Sequence, residues 1–219
     1  MYDMVSKDTW KKLSEVTTTQ WGMITRQQMK AVGIPGTTIA RLTSSDSLCT
    51  RIAHGVYHIA GCPITSDQDL IAAWLQLAPG TVAWNRSVEQ GVISHRSAAL
   101  IFDMGDLPAD LHEFTVKRYK QSRRPDVKLH TKNYSERDCI RHHGLWITRP
   151  ARTIADLLES YPDLESVGQL TIDALNTGYE SRLTIAEYLD PYAKRFGYTK
   201  GDGESFLESL TSNVPNNIS

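Results

Sequence analysis

Cysteine is scarce in this chain of 219 residues: Cys49, Cys62 and Cys139 are odd in number, widely spaced and contain no Cys-x-x-Cys pair. That pattern excludes a disulfide framework and a zinc knuckle, and predicts reduced thiols. No apolar run approaches the ~20 residues needed to cross a bilayer. Met1-Tyr2-Asp3-Met4 also lacks the basic-then-hydrophobic order of a leader, so a cytoplasmic chain with no membrane association is expected. No internal repeat is present, and no heptad seam specifies an oligomer, which leaves a monomer or weak dimer. The net charge of -1 carries no strong sign, but the charge is segregated. Residues 1–60 hold 7 Lys/Arg against 4 Asp/Glu and residues 117–152 hold 11 against 3, while 61–116 hold 2 against 7 and 153–219 hold 4 against 11. Segregation of this kind builds local fields that the total conceals.

Residues 23–59 read as two short helices broken at a glycine, then an alternating two-strand ribbon, which is the pattern of a winged helix-turn-helix. Thr25 is placed to cap the first helix, Met29 and Val32 form its apolar side, and Gly33 frees the backbone for a sharp turn. Pro35 suits entry to the second helix. There Ile39 and Leu42 face inward and Thr37, Thr38 and Arg41 outward, before the polar run Thr43–Ser47 ends the segment. Leu48–Ile52 and Val56–Ile59 alternate at period two around a turn at Ala53-His54-Gly55. A helix of this kind lies in the major groove of DNA, where Arg41 can take guanine O6 and N7 together. Thr25, Arg26, Gln27, Thr37, Thr38, Arg41, Arg51 and His54 are the candidate DNA contacts; for Arg51 a solvated strand position is an equal alternative.

The length supports a second core, so the expected division is a winged domain at 1–62, an α/β domain at 63–198 and a loosely ordered tail at 199–219 with one turn around 206–210. The fold class is then α+β, the second domain being a small sheet wrapped by several helices. A helix is predicted over 66–77 with Leu70, Trp74 and Leu77 on one stripe, and a short helix begins at Ser94. Strands are predicted at 113–117, 127–130 and 145–148, and helices from Ala151 on, with apolar faces at Ile154/Leu157/Leu158, Val167/Leu170/Ile172/Leu175 and Ile185/Tyr188/Leu189/Tyr192. The run 117–124 contains Lys120, Arg123 and Arg124 beside Tyr119; it is either a phosphate-binding loop or a solvated hairpin.

Catalytic sets are incomplete. Ser94, His95 and Ser97 supply a nucleophile and base types, but no third residue or oxyanion hole is marked. Asp138, Cys139, His142 and His143 resemble a metal cluster, yet adjacent histidines on a strand face opposite ways. His54, His58, His95, His112 and His130 are scattered and suggest no ligand set, so neither metal nor cofactor is expected. A metal-dependent nuclease docked by the winged helix is the alternative function. It would use Asp126 and Lys128 of the one Asp-x-Lys, an upstream acid such as Asp110, and magnesium. At the 149–153 junction, Arg149 and Arg152 are placed to meet Asp156 as a structural clamp, or to contact a nucleotide or RNA.

Five segments, 22–28, 33–34, 51–57, 94–99 and 147–157, fall in one order over about residues 10–180 that resembles the AbiEi family of antitoxin transcriptional regulators. The resemblance implies a winged helix that binds inverted repeats of double-stranded DNA in its own promoter. It also implies a second domain carrying antitoxicity, in which Ser94, His95, Arg149, Arg152 and Asp156 are the motif residues. The implied partner is a cognate nucleotidyltransferase-like toxin, engaged directly or indirectly. Some longer relatives continue into a nuclease-like domain after residues 153–157, and this chain is too short for one, so no enzymatic activity is expected. The expected function is therefore a transcriptional autorepressor and antitoxin.

Overall fold

The computed structural model describes residues 6–44, 48–108, 110–160, 163–212 and 214. It is a mixed α and β protein with two sheets, and none of its described helices is long and apolar enough to cross a membrane. It forms two compact units: the described residues up to Gly91 with His143–Leu145, and Val92–His142 with the described residues from Trp146 on.

The first unit opens with α1 (Lys7–Thr17), capped by Ser6, whose hydroxyl accepts from the Thr9 amide at 3.2 Å. Its inward side is Thr9, Leu13, Val16 and Thr17. Gly22 then sits at φ +71°, where a Cβ would lie 2.4 Å from Cys62 Cβ; only glycine permits this approach. Strand β1 (Met23–Thr25) leads into α2 (Arg26–Ala31). The Thr25 hydroxyl accepts from the Gln28 amide at 3.1 Å and the Gln28 side chain accepts from the Thr25 amide at 2.9 Å, a reciprocal capping box that starts the helix. Gly33, at φ +79°, turns the chain into α3 (Gly36–Leu42), which Pro35 precedes and Ile39 and Leu42 anchor. The polar run expected to end this segment lies outside the described residues at 45–47. Strands β2 (Cys49–Ala53) and β3 (Val56–Ile59) pair antiparallel, and β1 adds to the other side of β3, giving the order β1-β3-β2. Leu13, Val16, Ile24, Met29, Ile34, Ile39, Leu42, Cys49, Tyr57 and Ile59 form its core.

Helix α4 (Gln68–Leu77) starts two residues after the predicted position and packs on all three strands of this sheet. Leu70 to Leu75 are buried without interruption, so the helix has no wet face to separate it from the first unit. The division therefore falls at Gly91 rather than at residue 62. Arg86, itself buried, stacks on Trp74 and donates to the carbonyls of Trp74, Leu75 (2.7 Å) and Ala78 (2.8 Å), closing the carboxyl end of α4 with a cation.

In the second unit, save for Leu145 at the start of β8, β4 (Val92–Ile93), β5 (His112–Val116), β6 (Val127–Thr131), β7 (Cys139–His142) and β8 (Leu145–Thr148) form a sheet in the order β6-β5-β4-β8-β7. β5 and β6 are parallel, with Glu113 opposite Lys128 and Thr115 opposite His130. The run 117–124 is thus a return crossing and not a hairpin, because a parallel neighbour must be entered from the same end. Helices α5 (His95–Ile101), α6 (Pro150–Ser160), α7 (Leu164–Asn176), α8 (Arg182–Ala193) and α9 (Gly203–Ser212) complete the unit. The apolar face predicted on α6 is buried throughout; α7 buries Val167 and Leu170 but leaves Ile172 and Leu175 half-buried, and α8 buries Ile185 and Leu189. Helix α9 occupies the segment expected to be loose: Phe206, Leu207 and Leu210 are buried and Phe206 stacks on Phe196 and Tyr198. Replacing Gly203 by Ala would set a Cβ 2.1 Å from the Ala186 carbonyl oxygen on α8. Gly203→Ala should destabilise the protein by about 1–3 kcal/mol. Gly36→Ala, where a Cβ meets nothing within 4 Å, should be neutral by comparison; the urea midpoints of the two variants check this.

Candidate nucleic-acid interface and a buried polar cluster

Burial of Ile39 and Leu42 turns the opposite face of α3 outward, exposing Thr37 and Arg41 and leaving Thr38 half-buried. On the β2–β3 hairpin Arg51 and His54 are exposed, with Arg51 Nη2 3.1 Å from His54 Nδ1. Gln76 of α4 donates to the His54 carbonyl at 2.8 Å and braces that turn. Arg26, Gln27, Lys30 and His54 line one open groove that also takes in Gln76 and Pro79. Lys30 was not among the expected contacts, although it lies one turn beyond Arg26 and Gln27 on the same helix. Thr25 does not join this surface. It is 0% exposed and its hydroxyl donates to the Pro79 carbonyl while capping α2, so it acts as a scaffold residue.

Among the basic residues of 117–124, Lys120 and Arg123 are exposed. Arg124 is instead gripped through both Nε (2.9 Å) and Nη2 by the two Asp126 oxygens, which withdraws it from the expected phosphate contacts. The same fork occupies the carboxylate that the nuclease reading requires, and Lys128 pairs with Glu113 at 3.3 Å; Asp110 is exposed on the segment before β5.

Two expected sets of residues meet inside the second unit. Ser94 and Thr115 are buried, with the Thr115 hydroxyl donating to Ser94 Oγ at 2.8 Å and Ser94 Oγ 2.9 Å from His95 Nδ1. Ser94 precedes α5 as expected, but its side chain makes no capping bond, since it faces His95 and Thr115; a fully buried hydroxyl offers no nucleophile to a substrate. The Thr115 hydroxyl also lies 3.3 Å from that of Tyr134, which donates to Asp156. Asp156 further accepts from Arg152 one turn before it (2.9 Å) and from Lys132 (3.1 Å). Arg152 meets Asp156 as the sequence suggested. Arg149 does not, and pairs with Glu180 at 2.7 and 3.0 Å instead. Burial opposes the Arg152 charge, yet Asp156 and Tyr192 outweigh it and hold its pKa above the usual value. Burial, together with Asp156, raises the Tyr134 hydroxyl and keeps it protonated.

The histidines read as scattered are not all so. His95, Glu113 and His130 converge, each offering a ligand atom within 4.8 Å of the others, and the two imidazoles stack at 3.5 Å with a 10° interplanar angle. Burial and the neighbouring His130 push His95 down to about 4, so it is a neutral imidazole at neutral pH. Burial pulls Glu113 up, but His130, His95 and Lys128 together bring it down to about 2. The sequence could not show this convergence, because it depends on the parallel register that puts β5 and β6 side by side. At the other suspected cluster, burial and Asp138 raise the Cys139 thiol to about 12, and Asp138 accepts from Ser135 and Tyr188. No set of three ligands forms there among the described residues.

No protein-family model matches this chain, and no curated protein matches its sequence. Asp156→Asn leaves Arg152 and Lys132 without their shared charge and should destabilise the protein by about 3 kcal/mol. Arg182→Ala, on the exposed pair with Glu204, should cost about 1 kcal/mol or less, a contrast measurable by urea denaturation.

Proposed function

We propose that the first unit is a winged helix-turn-helix, and that the protein is a DNA-binding transcriptional autorepressor and antitoxin. The observation that carries the DNA-binding part is the outward face of α3, where Thr37 and Arg41 are exposed opposite a buried Ile39–Leu42 anchor. On this reading α3 enters the major groove and Arg41 reads a guanine, a bidentate contact worth roughly 1–3 kcal/mol of discrimination. The β2–β3 hairpin is the wing, and Arg26, Lys30 and His54 line a groove suited to a phosphate. Lys120 and Arg123 of the second unit add sequence-independent backbone contacts. Inverted half-sites are then occupied by two copies of the chain.

The antitoxin part rests on the resemblance carried by segments such as 51–57 and 147–157, and its partner is a nucleotidyltransferase-like toxin encoded beside it. Co-expression of the adjoining reading frame with and without this protein tests that part.

For DNA, the probe is a duplex from the region upstream of the protein's own coding frame. Thr38→Ala combined with Arg41→Ala should weaken retardation in a gel-shift assay by about tenfold or more. Unchanged retardation removes α3 from the contact surface. Lys120→Gln with Arg123→Gln should flatten the slope of log K against log salt by up to about 2; an unaltered slope means that this segment does not touch phosphates.

A further inference from the structure

His95, Glu113 and His130 reach one point from three elements: the first turn of α5, strand β5 and strand β6. We propose that these three side chains form a binding site for a divalent transition-metal ion of the zinc class, with a fourth coordination position left for water or a small ligand. The inference is independent of the DNA-binding reading.

The distances suit the ion. Zinc held at about 2.1 Å by tetrahedral ligands separates those ligand atoms by about 3.4 Å, and Glu113 Oε2 stands 3.5 Å from His130 Nε2. That nitrogen is buried and makes no well-directed hydrogen bond; the polar atom it faces is the same Glu113 oxygen, and an ion between the two would satisfy both. The other Glu113 oxygen is held by Lys128 at 3.3 Å, and Oε2 accepts a long bond from the Arg96 amide at 3.4 Å; the two orient the carboxylate and leave Oε2 a second lone pair to coordinate. On His95, Nδ1 lies 2.9 Å from Ser94 Oγ; when it donates there, the remaining ring nitrogen carries the lone pair. His95 also has φ +54°, a left-handed backbone that is costly for most residues and recurs at ligand sites.

Two imidazoles and one carboxylate select zinc-like ions over magnesium or calcium, which favour all-oxygen shells. A bound ion must lie in the plane of each ring. Uptake therefore splays the two rings from their 3.5 Å stack, so metal binding has a conformational signature within the cluster.

The full chain, stripped with a chelator, is titrated with Zn²⁺ by calorimetry, and with Co²⁺ as an optical probe of coordination. About one equivalent should bind, and His130→Ala and Glu113→Gln should each weaken binding by about tenfold or more. His143→Ala, outside the trio, should bind as the parent does. His130, on the edge strand β6, has the most exposed side chain of the three, and circular dichroism checks that its replacement leaves the fold intact. Imidazole ¹⁵N spectra give a second readout: zinc should move His95 and His130 alone and fix Nδ1–H on His95. Absence of uptake, uptake equal in His130→Ala and parent, or shifts confined to other histidines would overturn the proposal.

Discussion

A single buried carboxylate organises the second unit. Asp156 is 1% exposed, and burying its charge would cost several kcal/mol without partners. Its donors arrive from separate places: Arg152 from its own helix α6, Lys132 and Tyr134 from the segment after β6. Neither the segment nor the helix can take its place alone without stranding charge in the interior. From Tyr134 the chain of polar contacts runs to Thr115, Ser94 and His95, so the position of the His95, Glu113 and His130 trio is tied to the same condition.

The first unit relies on shape more than on charge. Its sheet and helices α1 to α3 share one apolar core, and α4 seals the sheet with six consecutive buried residues. Arg86 secures the end of α4 by filling several carbonyls with one planar group, a task suited to the fixed fork of a guanidinium. With α4 fixed, Gln76 holds the hairpin turn through the His54 carbonyl. The exposed Thr37 and Arg41 of α3 are thereby displayed on a frame that has little freedom to repack.

Local chemistry was legible in the sequence where the signal is short-ranged. Thr25 with Gln28 three residues on marks the α2 cap, Gly33 the turn, and alternation marks β2 and β3. The Arg152–Asp156 pair follows from helical spacing alone. Helix α1 escaped notice because half of its buried face is threonine, and β1 and β4 are too short to show a period. Helix α9 is flanked by Gly, Asp and Ser, which mask the Phe206, Leu207 and Leu210 anchor. The largest gaps are long-range. Whether β6 runs with or against β5 is not written in either strand, and that choice decides which of Glu113, Lys128 and His130 are neighbours. The same reasoning explains Arg149 and Arg124, whose acids became known only once Glu180 and Asp126 were placed.

Strand β6 closes one side of the five-stranded sheet and so presents a row of backbone amides and carbonyls on which another polypeptide could template itself. Lys128 stands exposed along that row, and a charged gatekeeper there discourages uninvited strands from adding on. The residue that repels foreign chains at the rim of the sheet also steadies the Glu113 carboxylate just inside it.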